Sequence, residues 1–280
     1  MKRAVYMVYG VMSYAVSIAT LLYAIAFVEG GLVPRTVDVG GPVSGPVTAQ
    51  LIDGLLLSLF AVQHSGMARC RFKEVWTRLV PEPIERSTYV LAASASLLAL
   101  FALWRPIPAV VWNLQAPVPR FAIDALAAVG WLVALFSTLL LNHFELFGLR
   151  QVYLAARNRE LPSSQFRTPW FYKWVRHPLY LGFIIAFWAA PTMTVGHLVF
   201  ALGMLGYILG AIQLEERDLI REFGARYLAY REQVRGLVPI PRQFQERSRD
   251  LRARADATPA PASGVSLTAL SRPGPGSRSG

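Results

Sequence analysis

Arg176-His177-Pro178-Leu179-Tyr180-Leu181-Gly182 closes a basic, polar segment and opens a long apolar one. These residue types suit the capture of an anion at a helix start. A residue before proline is driven toward extended conformations, which leaves His177 outside the helix. Pro178 fits the first helical turn, where its missing N–H costs nothing. The free N–H groups of such a turn hold carboxylates or phosphates. Gly182, one turn further in, admits the close approach of a ligand or of a neighbouring helix. At the far end of the apolar segment stands a paired carboxylate, Glu215-Glu216, whose oxygens accept from hydroxyl and ammonium groups. The same two marks also read without a ligand. They are then an Arg-His cluster before a membrane helix and charged residues where a helix leaves lipid, with Arg217 or Arg221 as partners for Glu216.

Three other groups could handle a proton. His143 and Glu145 end the fourth apolar block in Leu141-Asn142-His143-Phe144-Glu145, and His64 ends the second in Gln63-His64-Ser65. Each is a candidate general base, and each serves equally as a hydrogen-bonded polar residue joining helices. His197 falls at the opposite end of the apolar segment and is assigned no chemistry. The histidines follow no HExxH or comparable spacing, so no metal is expected. The single cysteine, Cys70, excludes a disulfide framework and any CxxC motif.

The elements that must position these groups are membrane helices. Of the 280 residues 54% are hydrophobic, the mean hydropathy is +0.38, and the apolar residues come in long blocks. The blocks give spans at about 4–28, 49–68, 87–104 and 121–143. The stretch 178–214 is too long for one span of roughly 20 residues and suits two short helices turned at Pro191–Thr194, tilted or re-entrant. Residues 211–234 continue as an amphipathic helix with Ile212, Leu219, Phe223, Tyr227, Tyr230 and Val234 on one face, ended by Pro239 and Pro241. Residues 29–48 and 105–120 read as irregular loops. The fold class expected is therefore all-α: a polytopic bundle of four spans, a C-terminal helical hairpin and a cytoplasmic amphipathic helix. Its regions are 1–143, the N-terminal membrane helices; 144–242, a cofactor-binding region; and 243–280, a disordered tail rich in Arg, Ser, Pro, Gly and Ala.

Lys2-Arg3 before an apolar run, with Ala24-Ile25-Ala26 beyond it, mimics a signal peptide, but the run is longer than an h-region and reads as a retained helix. The net charge of +11 is concentrated in connectors 69–86 and 144–177 and after residue 214. That clustering favours positive-inside topology over nucleic-acid binding. With Met1 cytoplasmic, all three basic segments fall inside, both charge-poor loops fall outside, and the C-terminus returns to the cytoplasm.

Taken together, RHPLYLG, the apolar hairpin, EERDLIREFGARYLAYREQV and Leu237-Val238-Pro239 resemble the isoprenylcysteine carboxyl methyltransferase superfamily, which includes bacterial phospholipid N-methyltransferases. The last tripeptide is slightly offset from the usual Ile-Pro. The resemblance implies an integral membrane enzyme that binds S-adenosyl-L-methionine at the cytoplasmic end of the hairpin. A narrower resemblance covers about residues 5–242. It includes Phe60-Ala61-Val62-Gln63-His64-Ser65, Pro81 through Tyr89, Leu141 through Gln151, Phe166-Arg167-Thr168-Pro169 and Ala190-Pro191-Thr192-Met193-Thr194. These blocks are similar to the bacterial methanethiol S-methyltransferase family, which makes dimethyl sulfide. The front half, above all Gln63-His64-Ser65, is also similar to membrane proteins associated with denitrification.

By motif position the resemblance implies that Arg176, His177, Tyr180 and Gly182 contact or shape the cofactor site. Glu215 and Glu216 then hold the ribose or amino group, and Tyr227 and Tyr230 face the adenosine or simply pack on the membrane surface. His143, Glu145, His64 and Arg176 are the candidates for activating the thiol. The implied setting is the bacterial inner membrane, with methanethiol as substrate, membrane lipid as surroundings and no nucleic-acid partner. The alternatives are a methyltransferase for a lipid or isoprenylcysteine carboxylate, a non-catalytic denitrification-associated membrane protein, and a membrane reductase, whose nicotinamide-binding pattern is not evident.

Overall fold

The computed structural model describes residues 2–162 and 165–238. The proposed tail, 243–280, and the closing Pro239 and Pro241 lie outside the described residues. The chain runs through α1 (Lys2–Glu29), α2 (Pro46–Met67), α3 (Cys70–Trp76), α4 (Glu82–Leu103), β1 (Val110–Asn113), α5 (Pro117–Leu140), α6 (His143–Leu146) and α7 (Leu149–Ala156). A single 3-10 turn (Trp170–Lys173) leads into α8 (Pro178–Trp188), β2 (Thr192–Thr194), α9 (Val195–Phe223) and α10 (Ala225–Gln233). Five of these helices, α1, α2, α4, α5 and α9, are long and apolar enough to cross a membrane. The protein is an all-α, polytopic integral membrane bundle.

The helices begin and end at two chemically different levels. At one, hereafter the sheet end, β1 pairs antiparallel with β2. Trp104 Nε1 donates to the Val37 carbonyl at 3.0 Å, and the Arg105 N–H donates to Asp53 at 2.9 Å. An aromatic cluster packs just inside it. Phe27 on α1 meets Phe101 on α4 at 4.7 Å between ring centroids, and Phe187 on α8 meets Phe200 on α9 at 5.2 Å. These contacts pin the apex of the α8–α9 hairpin. The other level, the charged end, collects the starts of α1, α4 and α8 and the ends of α2, α5 and α9.

The hairpin is asymmetric. At 11 residues, α8 spans only about 16 Å at 1.5 Å per residue, whereas α9 has 29. Loop residues 189–191 and strand β2 complete the short arm. The prolines of 105–120 suggest an irregular loop, but Val110, Val111 and Trp112 lie between them and favour the extended strand β1. The amphipathic helix read as 211–234 is two helices. Gly224, at φ +55°, breaks it, and α10 sets off in a new direction. The fourth span ends at Leu140 rather than His143, because Asn142 turns the chain at φ +79°.

Helices α5 and α8 form the closest pair, and glycine permits it. A Cβ on Gly182 would stand 2.6 Å from the Ala134 nitrogen and 2.6 Å from the Gly130 carbonyl oxygen. A Cβ on Gly130 would stand 2.7 Å from the Ala186 nitrogen. In a bilayer, where lipid tails are as apolar as side chains, such backbone proximity supplies much of the attraction between helices. The motif glycine Gly182 is therefore spent on α5. Gly182→Ala is expected to lower stability by about 1–3 kcal/mol through overpacking. Gly206→Ala, where nothing lies within 4 Å, should be neutral or slightly stabilising. Thermal unfolding of the two purified variants in detergent checks this, and equal melting temperatures would contradict the packing role.

Candidate active site

His177 is the N-cap residue of α8 and Pro178 its first helical residue, as their order in the chain requires. The preceding strand-like stretch is held by the segment after α10. Val175 bridges Arg235, the Arg176 N–H donates to the Arg235 carbonyl at 2.9 Å, and the His177 N–H donates to Gly236 at 3.1 Å. This pairing aims both side chains at the end of α9.

There Glu216 receives them. Arg176 donates to Glu216 Oε1 through Nε at 2.8 Å and approaches it through Nη2 at 2.7 Å. His177 Nε2 lies 3.0 Å from the same oxygen. An ionised carboxylate only accepts, so Nε2 carries a hydrogen. The other Arg176 nitrogen, Nη1, donates to the carbonyls of Arg231, at 3.2 Å, and Val234. The Arg176 and Glu216 side chains are only 14% and 13% exposed, which makes the multiple donors necessary rather than incidental.

Glu215 is different. His177 Nδ1 is 3.8 Å from its Oε2, and the side chain is 44% exposed. It lies within electrostatic reach of the Tyr89, Tyr172, Tyr180 and Tyr207 hydroxyls. The Tyr180 ring leans over His177 with centroids 5.8 Å apart. Tyr227 is 1% exposed, with the Arg176 guanidinium close by and no hydrogen-bond partner within ordinary distance among the described residues, while Tyr230 donates to the Tyr172 carbonyl at 2.5 Å. Burial pushes the phenols of Tyr172, Tyr227 and Tyr230 above their ordinary range, so they stay protonated donors.

Arg176, His177, Tyr180, Glu215, Glu216, Tyr227 and Tyr230 thus converge around one polar cluster. Gly182 faces α5 instead. His143 and Glu145 are occupied elsewhere. His143 has Tyr14 on Nε2 at 3.0 Å and Thr138 on Nδ1 at 2.9 Å, so neither nitrogen is open to a substrate. Glu145 is bound by Arg150 and by Asn142, the latter at 2.9 Å. His64 keeps one nitrogen open and sits on the inner side of the tyrosine group. Tyr89, Tyr172 and Tyr207 were not singled out from sequence. Tyr207 stands eight residues before Glu215, two turns up the same helix face, and that spacing was the available signal.

An apolar multispan bundle with a guanidinium–imidazole–carboxylate cluster at the mouth of a short, proline-led helix defines a class: polytopic membrane proteins with a polar, partly buried site at one end. Comparison with known proteins narrows it. The chain is 52% identical over 243 residues to the methanethiol S-methyltransferase of Mycobacterium tuberculosis, covering 86% of this chain and 98% of that protein. It is 48% identical over 240 residues to the methanethiol S-methyltransferase of Crocosphaera subtropica, covering 86% and 94%. Nurim of Xenopus laevis is 30% identical over 175 residues, covering 60% of this chain and 61% of that one. No family model and no solved structure matches. The chain belongs to the methanethiol S-methyltransferase family.

His143 yields a pH prediction. Burial holds its imidazole below the ordinary value of 6.5. Unfolded, it takes up a proton near that value; folded, only at lower pH. Its contribution to stability is therefore complete above about 6.5 and is lost as pH falls below it. Apparent melting temperature in detergent should fall from pH 7 to pH 5, and His143→Gln should flatten that dependence by about 2–4 °C for each kcal/mol involved. An unchanged slope in the variant would contradict the assignment.

Proposed function

We propose that this protein transfers the methyl group of S-adenosyl-L-methionine to methanethiol, giving dimethyl sulfide, at the charged end of the bundle. The observation that carries this reading is the match along nearly the full length of relatives that bear the name of that activity, with the polar cluster falling on the RHPLYLG and Glu215-Glu216 motifs. The small thiol is preferred over a lipid carboxylate because those relatives are named for the former. The clustering of basic residues in the connectors supports reading this end as the cytoplasmic face of the bacterial inner membrane, with both termini inside.

The residues present fit the donor. Glu215 is a carboxylate with open acceptor capacity, suited to ribose hydroxyls or an ammonium group. Tyr227 carries a buried hydroxyl without a partner, and Tyr230 and Phe166 line it with aromatic surface. The start of α8 offers free N–H groups beside Arg176 for a carboxylate. Bound S-adenosylmethionine supplies an electrophilic methyl group on a cationic sulfur.

The chain's own residues do the rest. Glu216, held by Arg176 and His177, fixes the entrance of α8 against the end of α9, and with it the relative placement of donor and thiol. The reacting form of the acceptor is the thiolate. Anion and cation neutralise each other as the new bond forms, so an apolar lining that excludes water favours the reaction. The bundle above the site, lined by Phe60 and the rings of Tyr89 and Tyr207, has that character.

Purified protein given S-adenosylmethionine and methanethiol is expected to release dimethyl sulfide into the headspace, measured by gas chromatography, and absence of the product would overturn the reading. His177→Ala and Glu216→Gln are each expected to weaken S-adenosylhomocysteine binding at least tenfold by calorimetry, about 1.4 kcal/mol. Unchanged affinity in both would remove the cluster from the donor site.

A further inference from the structure

Behind the polar cluster, toward the interior of the bundle, lies His64 on α2. Its Nε2 is 2.9 Å from the Tyr89 hydroxyl of α4. Its Nδ1 is buried and has no hydrogen-bond partner among the described residues. The imidazole is packed between Phe60, at 5.3 Å between centroids, Tyr89, at 5.1 Å, and Tyr207 of α9, at 6.2 Å. A bare nitrogen in an apolar bundle costs free energy unless something else supplies its partner.

The groups facing it connect it to the site. Tyr89 acts electrostatically on Tyr207, both act on Tyr180, and all three lie within reach of Glu215. Arg86 stands over the Tyr89 ring at 4.8 Å and acts on His64, and Arg69 acts on Tyr89 and Tyr207 while paired to Asp218 at 2.7 Å. Glu85 is the remaining charge acting on Tyr89. Tyrosine side chains therefore lie between Glu215 and the His64 ring, and Tyr89 touches that ring at Nε2. The other candidate bases lack such an atom: both nitrogens of His143 are taken, and Glu145 is paired. His197 also has an unpartnered Nδ1, but it sits at the sheet end beside Asp38 and the Phe187 carbonyl.

Resting on the function proposed above, we propose that His64 Nδ1 is the atom that receives the proton of the small thiol, with Tyr89 as the positioning residue that fixes its tautomer. In the tautomer proposed, Nε2–H donates to the Tyr89 oxygen and the lone pair of neutral His64 lies on Nδ1. The S–H bond breaks and its proton moves to Nδ1. The freed sulfur pair makes the new S–C bond to the donor methyl group. The pair of the broken C–S bond stays with the departing thioether. His64 is left as an imidazolium, which later returns the proton to solvent. The rings of Phe60, Tyr89 and Tyr207 pack around the imidazole and exclude water from it.

The test uses full-length protein in detergent, with kcat/KM for methanethiol recorded against pH and S-adenosylhomocysteine affinity measured calorimetrically. His64→Asn should keep that affinity within about twofold, since the residue does not touch the donor. Its kcat/KM should fall about a hundredfold near neutral pH, the lower range for losing a general base. The deficit should close as pH rises through the thiol's own ionisation, which for a cysteine-type thiol begins near about 8.5. Added imidazole should restore part of the rate in His64→Gly. Tyr89→Phe keeps the ring and the packing, and should move the acid limb of the profile to lower pH, because the imidazolium loses an acceptor. A uniform loss at all pH values, a loss of S-adenosylhomocysteine affinity in His64→Asn, or an unmoved acid limb in Tyr89→Phe would overturn the assignment. Failure of the wild-type protein to form dimethyl sulfide would instead overturn the function on which it rests.

Discussion

Glu216 accepts from Arg176 and His177 on one oxygen, and those two residues are neighbours in the chain, 40 and 39 positions away. A carboxylate so little exposed at the edge of an apolar bundle is stable only with donors of this kind. The constraint runs both ways, because the guanidinium is as little exposed as its partner. Arg176 satisfies its remaining donors on the carbonyls of Arg231 and Val234, so one ion pair ties together the mouth of α8, the end of α9 and the chain beyond α10. Removing either charge leaves the other stranded.

That pair can form only if the hairpin delivers its two ends to one place. The Phe187–Phe200 contact fixes the apex, and glycine contacts at Gly130 and Gly182 lay α8 along α5 rather than along α9. From the apex, Glu216 is 16 residues down α9 and His177 only 10 up α8, about 24 and 15 Å of helix. The carboxylate side chain closes part of that difference, because helical side chains point back toward the N-terminus, and inclination between the helices closes the rest. Gly224 then breaks the helix soon after Glu216, which lets α10 fold back and present Tyr227, Tyr230 and Arg231 to the same cluster. A continuous helix would have carried those residues away from it.

Much of this was legible in the chain. Apolar block length gave the spans because a bilayer imposes that length, and Pro178 gave the start of α8 because proline has one good place in a helix. What sequence did not reveal were choices between equivalent partners. Gly182 admits a ligand or a helix by the same absence of a side chain, and only the position of α5 decides. His143 and His64 each end an apolar block beside polar residues, and nothing local distinguishes them. Tyr14 and Thr138 complete the first, while the second is left open on one nitrogen. Pairing of β1 with β2 joins residues about 80 positions apart, a register that no local periodicity encodes.

The two ends of the bundle divide the work. At the sheet end, polar groups are paired among themselves: Asp53 with the Arg105 N–H, Thr194 with Asp38, Trp104 with Val37, and Trp131 with Glu29. These bonds close much of that end with side chains bound to one another, although Asp53 Oδ2, Arg105 Nε and His197 Nδ1 there have no partner among the described residues. At the charged end, Glu216 is held by several donors, whereas Glu215 beside it is 44% exposed with Tyr180 near it, and the Tyr227 hydroxyl and His64 Nδ1 have no partners among the described residues. Buried polar atoms left unsatisfied cost stability, and a fold accepts that cost where a ligand completes them. Saturated residues hold the frame and unsaturated ones wait on it. A donor with ammonium, hydroxyl and carboxylate groups answers Glu215, Tyr227 and the α8 start, and a small acidic acceptor answers His64. The same apolar walls that make each open atom costly keep water from competing for it, and that exclusion is what a charge-neutralising transfer requires.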